Sequence, residues 1–176
     1  AAAKGQLKTR DQISRQARRM VKDVRTRAKL REFLHQWLQV DRFHDIAKDP
    51  ELYPEFDEQV VSDLRTSLDL FLDEIITSES ADFRQTLLER SLYLNGRLAG
   101  LYGADLPEDA EFQKVVLDSQ DRAGVLSHPY LMSGFAYDRT SSPIHRGVFL
   151  SRSVLGRFLK PPPEAVAPLA PELHAD

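Results

Sequence analysis

The 176-residue sequence contains no cysteine, one tryptophan and two methionines. Without cysteine, its own residues can form no disulfide, thiolate metal site, cysteine nucleophile or covalent haem attachment. No apolar run reaches the roughly 18 to 20 residues that a bilayer-spanning helix needs, so we expect no transmembrane segment. The five histidines show neither H-x-x-x-H nor H-E-x-x-H spacing, and the sequence therefore predicts no metal site.

Charge is distributed unevenly along the chain, although the formal net charge is only −3. Residues 1–50 hold 13 Lys and Arg against 6 Asp and Glu, whereas residues 51–120 hold 5 against 16. This asymmetry favours two segments that face each other with opposite charges over a nucleic-acid surface. We therefore predict no nucleic-acid partner, and a helical nucleic-acid binder that uses Arg15–Arg31 is the disfavoured alternative.

Apolar residues at helical spacing predict a mainly α-helical fold, an antiparallel helical bundle with a smaller helical, loop-rich C-terminal unit. Residues 1–9 are predicted to be flexible. The first helix has a basic outer face, and its apolar face consists of Ile13, Ala17, Met20, Val21 and Val24. The second helix places Trp37 on its apolar face as a core anchor and leaves His35 in solvent.

Residues 56–76 are predicted to form the central helix, because apolar side chains recur there at alternating spacings of three and four residues. Asp57 is its candidate N-cap. The helix also carries four acids without the glycine turn and irregular backbone of a hard-cation loop. We interpret them as a solvated face, and they are Asp63, Asp69, Asp73 and Glu74.

Shorter elements are predicted between residues 78 and 118. Ser80 is a candidate cap of a short helix. The inward residues of that helix are predicted to be Phe83, Leu87 and Leu88. Another helix begins at about Asn95, shares its apolar stripe with Leu94 and ends at Gly103, where glycine tolerates the left-handed conformation. Residues 112–117 indicate a short strand or edge segment.

The stretch Asp121–Pro163 gathers arginine, glycine, histidine and proline where helix amphipathicity does not require them. Pro129 places His128 just before a helix start, which favours a capping role for the histidine. Ser142-Pro143 similarly begins a helix that is predicted to end near Lys160. The proline-rich residues that follow are predicted to run extended.

The chemistry of this stretch leaves two interpretations open. Its arginines can hold an anionic ligand or partner by bidentate hydrogen bonds, or satisfy carbonyls of the irregular backbone, and the second role is favoured. The nearby residues of a possible Ser/His/Asp nucleophile system have no G-x-S-x-G turn to support them, and they are Asp121, Ser127, His128, Ser133 and Asp138. We therefore assign no catalytic residue. The ligand- or partner-facing candidates are Arg122, His128, Arg139 and Arg146.

Several stretches resemble a known pair of adjacent domains of unknown function. They read FLHQWLQVDRF, DPELYPEFD, LYLNGRLAGLYG, RAGVLSHPYLMSG and TSSPIHRGVFLSRSVLGRFLKPPP. Such pairs recur in large exported proteins of planctomycetes and myxobacteria, often with a c-type cytochrome domain that carries the haem-attachment cysteines. The positions of the signature in this chain are Arg122, Gly124, His128, Pro129, Ser142, Pro143, Arg146 and Gly147.

The resemblance implies an exported fragment or subunit, periplasmic or at the cell surface. It implies a bundle domain at 10–103, a linker at 104–110, a helical and loop-rich second domain at 111–165 and a proline-rich tail at 166–176. No cofactor is expected on this chain alone, and a haem c is expected in an adjacent domain or subunit. Axial-ligand candidates for such a haem are His128 and Met132, since imidazole and thioether are the usual ligands.

The resemblance supplies no established activity. We therefore predict a non-catalytic binding or assembly module, not an enzyme by itself, whose partners are other protein domains or subunits. The alternative is part of an extracytoplasmic enzyme, an oxidoreductase or a polysaccharide-active protein, with a site near His128 and Arg146.

Overall fold

The computed structural model describes residues 1–78, 80, 82–116 and 122–160. The chain divides into two compact units, Ala1–Ser142 and Pro143–Asp176. Three parts of the predictions lie outside the described residues. They are Leu117, where the strand was predicted to end, Asp121, and the proline-rich residues 161–176. The fold is mainly α-helical, as predicted. None of the described helices is both long enough and apolar enough to cross a membrane.

The first unit consists of six α-helices and a two-stranded sheet within the described ranges. The helices are α1 (Arg10–Val21), α2 (Val24–Trp37), α3 (Glu58–Thr77), α4 (Gln85–Leu88), α5 (Gly96–Tyr102) and α6 (Pro129–Gly134). The antiparallel strands are β1 (Ser91–Leu94) and β2 (Gln113–Val116), with Ser91 opposite Val116. Short 3₁₀ turns occupy Ala2–Lys4, Val40–Arg42 and Val125–Ser127.

Helix α3 is the centre of the first unit, which confirms the prediction from its periodicity. Asp57 is its N-cap as predicted, because the Asp57 carboxylate accepts a hydrogen bond from the Val60 amide at 2.8 Å. Its buried apolar residues are Val60, Leu64, Leu68, Phe71, Leu72 and Ile75. Burying each such large side chain contributes about 1.5–3 kcal/mol, so this helix supplies much of the core.

Helix α2 packs against α3, and opposite charges join the two helices as predicted. Arg31 forms an ion pair with Asp73, and Nε2 of His35 lies 2.8 Å from the Asp69 carboxylate. The prediction of a solvated His35 is therefore wrong, since only 13% of its side chain is exposed. Exposed ion pairs stabilise weakly, but these pairs set the alignment of the two helices.

The acids on α3 are not the solvated face that we predicted. Besides the two pairs with α2, Asp63 accepts hydrogen bonds from Asn95 and Arg97, both at 2.8 Å. Glu74 likewise binds the Tyr93 hydroxyl and the Lys114 ammonium. The acids therefore fasten the sheet and α5 to the central helix. Sequence periodicity could not show this because their partners lie far away along the chain.

Trp37 and the segment before α4 differ from the prediction. Trp37 is half-buried, and its ring packs against that of Phe83, 5.6 Å away between centroids. Phe83 and Leu88 are exposed, so the predicted inward face is wrong. Arg84 precedes α4 without a side-chain cap, which also contradicts the capping role predicted for Ser80.

Helix α5 starts and ends where predicted, next to Asn95 and Gly103. The prediction that Leu94 belongs to its apolar stripe is wrong. Asn95 caps the helix by accepting from the Leu98 amide at 3.0 Å, and Gly103 ends it with φ of 64°. Leu94 instead belongs to β1, a strand of four residues. Three of these four residues are buried, so the strand lacks the apolar and polar alternation that identifies a half-buried strand.

The second unit contains α7 (Pro143–Phe149), followed by a π-helical turn at Leu150–Val154. Pro143 is the first helical residue, as predicted. The predicted extension to Lys160 is wrong. The Leu155 amide bonds to the Leu150 carbonyl, and Gly156 then takes φ of 60°, a left-handed conformation that cannot continue a helix.

Candidate functional site

A cleft of about 520 Å³ opens on the first unit and is lined by three of the five tyrosines of the chain. We call it the tyrosine cleft. Its lining residues are Lys48, Tyr53, Phe56, Tyr102, Arg122, Ser127, Pro129, Met132, Ser133, Ala136, Tyr137, Asp138, Thr140 and Ser141. A volume of this size is typical of sites that hold a small organic ligand.

Two loops that are distant in sequence form one side of the cleft. The Lys48 ammonium donates to the carbonyls of Ser133 at 3.0 Å and Tyr137 at 2.8 Å. The Asp49 carboxylate pairs with Arg139 at 3.2 Å, next to a backbone bond from the Asp49 amide to the Asp138 carbonyl. Because irregular backbone needs side-chain partners, these bonds hold the two loops together beside the cleft.

Lys48 is the half-buried cation of the cleft. Burial lowers the pKa of its ammonium group, and the charge of Asp138 opposes this shift. Two of its three N–H donors are used by the carbonyls of Ser133 and Tyr137. The third N–H of Lys48 is therefore the donor that a ligand in the cleft can use.

Replacing Lys48 with methionine is expected to lower the free energy of unfolding by about 1–2 kcal/mol, because two carbonyls lose their charged donor. Urea unfolding at pH 7 measures this loss. Lys8→Met is the matched control, since Lys8 lies on the exposed segment before α1. Equal stability of the two variants would contradict the role of Lys48 as a brace.

Arg122 and Tyr102 form the cationic wall of the cleft. The Arg122 guanidinium lies 5.2 Å from the centroid of the Tyr102 ring, within the range of a cation–π interaction. Burial raises the pKa of Tyr102 to about 12, although the Arg122 charge acts in the opposite direction. Tyr102 is therefore a neutral phenol at pH 7, and its ring orients an exposed guanidinium at the cleft.

His128 lies beneath the cleft, between α3 and the start of α6. Its Nδ1 accepts from the Tyr130 amide at 3.3 Å, which places it as the cap of α6 and confirms the predicted capping role. Its Nε2 lies 3.3 Å from the Ser67 hydroxyl. The side chain is fully buried, and burial lowers its pKa to about 3. The ring is therefore neutral at physiological pH.

Gly124 forms the turn that precedes His128. Its amide donates to the Glu89 carbonyl at 2.7 Å, and its φ of 60° with ψ of −174° is a conformation essentially limited to glycine. A Cβ at this position would lie 2.4 Å from backbone atoms of Leu87. Steric contact and backbone conformation therefore explain why a glycine occupies this signature position.

The predicted site residues occupy different environments. Arg122 and Met132 line the cleft, and Arg139 lies in its loop, paired with Asp49. His128 is buried below it, so it is not partner-facing in this structure. Arg146 lies on α7 of the second unit. Of the residues considered for the disfavoured nucleophile system, Ser127, Ser133 and Asp138 line the cleft, but Asp121 lies outside the described residues.

Sequence reasoning missed most of the aromatic lining of the cleft. Tyr53 and Phe56 lie in a proline-containing loop, and Tyr137 follows α6. Tyr53 and Tyr137 lie outside the helical stripes that we used to assign the core, whereas Phe56 was predicted to open the central helix and instead precedes its N-cap, Asp57. That position off the stripes is the signal that could have identified them, but it does not indicate that they come together.

Metal ligands do not come together in the described ranges, which contain no group of three or more His, Asp or Glu side chains that could hold an ion. His128 does not fit an axial haem ligand, because both ring nitrogens are engaged and the side chain is buried. Met132 is half-buried at the cleft, and of the two candidates only its thioether lies at an accessible position.

The fold and the cleft define a small, mainly helical module with a ligand-sized site. Residues 1–104 match the family described as PSD4, protein of unknown function (DUF1592), and the chain belongs to this family. Residues 122–176 match a second family, PSCyt3, protein of unknown function (DUF1588). The two matches confirm the predicted tandem of domains of unknown function. No curated protein and no solved structure matches the chain.

Proposed function

We propose that the chain is a non-catalytic binding module of an exported, c-type-cytochrome-associated protein or assembly, and that the tyrosine cleft is its ligand site. The name of the second family, PSCyt3, supports the association with a cytochrome. The haem c is carried by an adjacent domain or subunit, since this chain has no cysteine to attach one. Its partners are other domains of the assembly, outside the cytoplasm.

The observation that carries the binding role is the combination of aromatic rings and cations in one cleft. Tyr53, Tyr102 and Tyr137 offer flat apolar faces, whereas Arg122 and Lys48 offer N–H donors. Rings favour a cyclic ligand, and a guanidinium favours a carboxylate that it can bind through two parallel hydrogen bonds. The ligand class that this cleft fits is therefore a ring compound with a carboxylate group.

The absence of a catalytic role in this proposal rests on how the histidine is held. The two ring nitrogens of His128 are engaged by Tyr130 and Ser67, beneath the cleft surface. It is thus not placed to take a proton from a ligand in the cleft, and Lys48 is bound to backbone carbonyls. These positions of His128 and Lys48 support ligand binding in the cleft and not proton transfer.

The ligand class is tested by NMR titration of the purified chain with benzoate and galacturonate, which share a carboxylate on a ring. Methyl benzoate and galactose are the matched neutral probes. We expect at least one of the two acids to bind and its neutral counterpart to bind at least about tenfold more weakly, because a hydrogen bond to a charged group contributes about 1.5–3 kcal/mol.

Arg122→Gln should weaken binding of the acid by about tenfold for the same reason. Arg25→Gln is the control, since Arg25 of α2 pairs with Asp23, far from the cleft in sequence. Equal binding of acid and neutral probes, or equal binding by the two variants, would contradict the assigned site. Haem staining of the native assembly that copurifies with the protein tests the cytochrome association, and an assembly without a haem-carrying domain or subunit argues against it.

A further inference from the structure

The N-terminal helix presents an apolar stripe that the first unit does not cover. Helix α1 contains no buried residue. Ile13 is 52% exposed, Met20 56% and Val21 66%, although the three lie on one face at helical spacing. We predicted this stripe as an inner face, and the structure shows that it faces solvent instead.

The segment that carries this stripe is also strongly basic. Residues 4–31, which we call the basic segment, contain eleven Lys and Arg against only Asp11 and Asp23. Three of the cations form ion pairs, namely Arg25, Lys29 and Arg31. In the described part of the chain, no acid lies within salt-bridge distance of Arg15, Arg18 or Arg27. Most of this positive charge is therefore directed to solvent.

The N-terminus of helix α1 is stabilised by its own residues and not by contacts with the core. Thr9 and Gln12 form a reciprocal capping box, in which the Thr9 hydroxyl accepts from the Gln12 amide and the Gln12 side chain accepts from the Thr9 amide. Its polar face carries Arg18 on one side of the stripe and Arg19 on the other. A short, predominantly polar helix with one apolar stripe and a basic polar face is the type that lies in a membrane interface.

We propose that the basic segment binds an anionic phospholipid surface, with Ile13, Met20 and Val21 inserted at the acyl boundary and the arginines at the phosphates. A nucleic acid would use the cations but leave the stripe uncovered. An acidic protein surface would need a groove shaped to receive the stripe as well as charge. The lipid surface satisfies both the charge and the stripe.

Flotation of the purified chain with vesicles tests this proposal. One set contains phosphatidylglycerol and phosphatidylcholine, and the other contains phosphatidylcholine alone. We expect binding to the anionic set only. Binding should decrease severalfold when salt is raised from about 50 to about 500 mM, because screening reduces the electrostatic part.

Two variants separate insertion from simple charge attraction. Ile13→Ser with Met20→Ser should reduce partitioning into anionic vesicles by about tenfold, because the apolar stripe supplies the inserted part. Leu88→Ser is the matched control, since Leu88 is 60% exposed outside the basic segment. Because α1 buries nothing, the double variant should keep its far-ultraviolet circular dichroism spectrum and melting temperature.

Three outcomes would overturn the proposal. These are no binding to anionic vesicles at low salt, equal binding by the stripe variant and the Leu88→Ser control, and binding to a short DNA duplex that depends on Arg15 and Arg18 but not on the stripe. A capping-box variant, Thr9→Ala, gives a further check. It should weaken vesicle binding while leaving the acid-probe titration of the tyrosine cleft unchanged.

Discussion

Replacing Gly124 with alanine is expected to lower the free energy of unfolding by about 4 kcal/mol or to prevent folding of the first unit. The new Cβ would lie 2.4 Å from Cα, C and O of Leu87, which are backbone atoms and cannot rotate away. The backbone at Gly124 must also keep a conformation that alanine hardly adopts. Any shift would break its bond to the Glu89 carbonyl.

Gly103→Ala is the control that separates collision from backbone strain. Gly103 also has a positive φ, 64°, but no atom lies within 4 Å of the position of its Cβ. Its replacement should cost only about 1–2 kcal/mol, the penalty of a left-handed conformation. Urea unfolding followed by circular dichroism compares the two. A similar loss in both variants would show that contact with Leu87 is not the cause.

Lowering the pH from 6.5 to 4 is expected to cost the protein about 3 kcal/mol of stability through His128 alone. Burial lowers the pKa of His128 to about 3, whereas an unfolded histidine has its ordinary pKa near 6.5. Between these values the unfolded state binds a proton that the folded state does not. Stability is therefore retained above pH 6.5 and decreases by about 1.4 kcal/mol per unit as pH falls towards 3.

His128→Asn tests this linkage. Asparagine can still cap α6, so the variant should fold, but it has no group that titrates in this range. At pH 7 we expect it to be less stable by about 2 kcal/mol, because a buried ring is lost and the Ser67 hydroxyl loses its partner. Because the wild type alone loses about 3 kcal/mol on going to pH 4, the difference should shrink, pass through zero and leave the variant about 1 kcal/mol more stable at pH 4. Parallel pH profiles would refute the assignment.

Local chemistry allowed several elements to be predicted from sequence. Helix α3 has a long apolar period, and a cap needs only one side chain and the amide two or three residues later. Asp57 and His128 were predicted as caps on that ground, and Asn95 was predicted as an approximate helix start. Gly103 was identifiable as a helix end because the left-handed conformation is a property of glycine itself.

Elements that depend on distant partners could not be predicted. The acids of α3 have the same spacing whether they face water or bind Arg97 and Lys114, so only the tertiary structure shows the pairs. The stripe of α1 similarly has the pattern of an inner face, yet nothing in the described part of the first unit buries it. A periodic pattern shows that a face exists, but it does not identify what covers that face.

The sequence by itself determined the helical class, the central position of α3, the tandem relationship and the importance of the stretch around Gly124 and His128. These follow from short-range periodicity, capping and composition. Only the tertiary structure decided that Arg122 meets Tyr102, that Lys48 joins two loops and that His128 is buried beneath the cleft. The physical reason is that these contacts join segments tens of residues apart, and their geometry arises only when the core has packed.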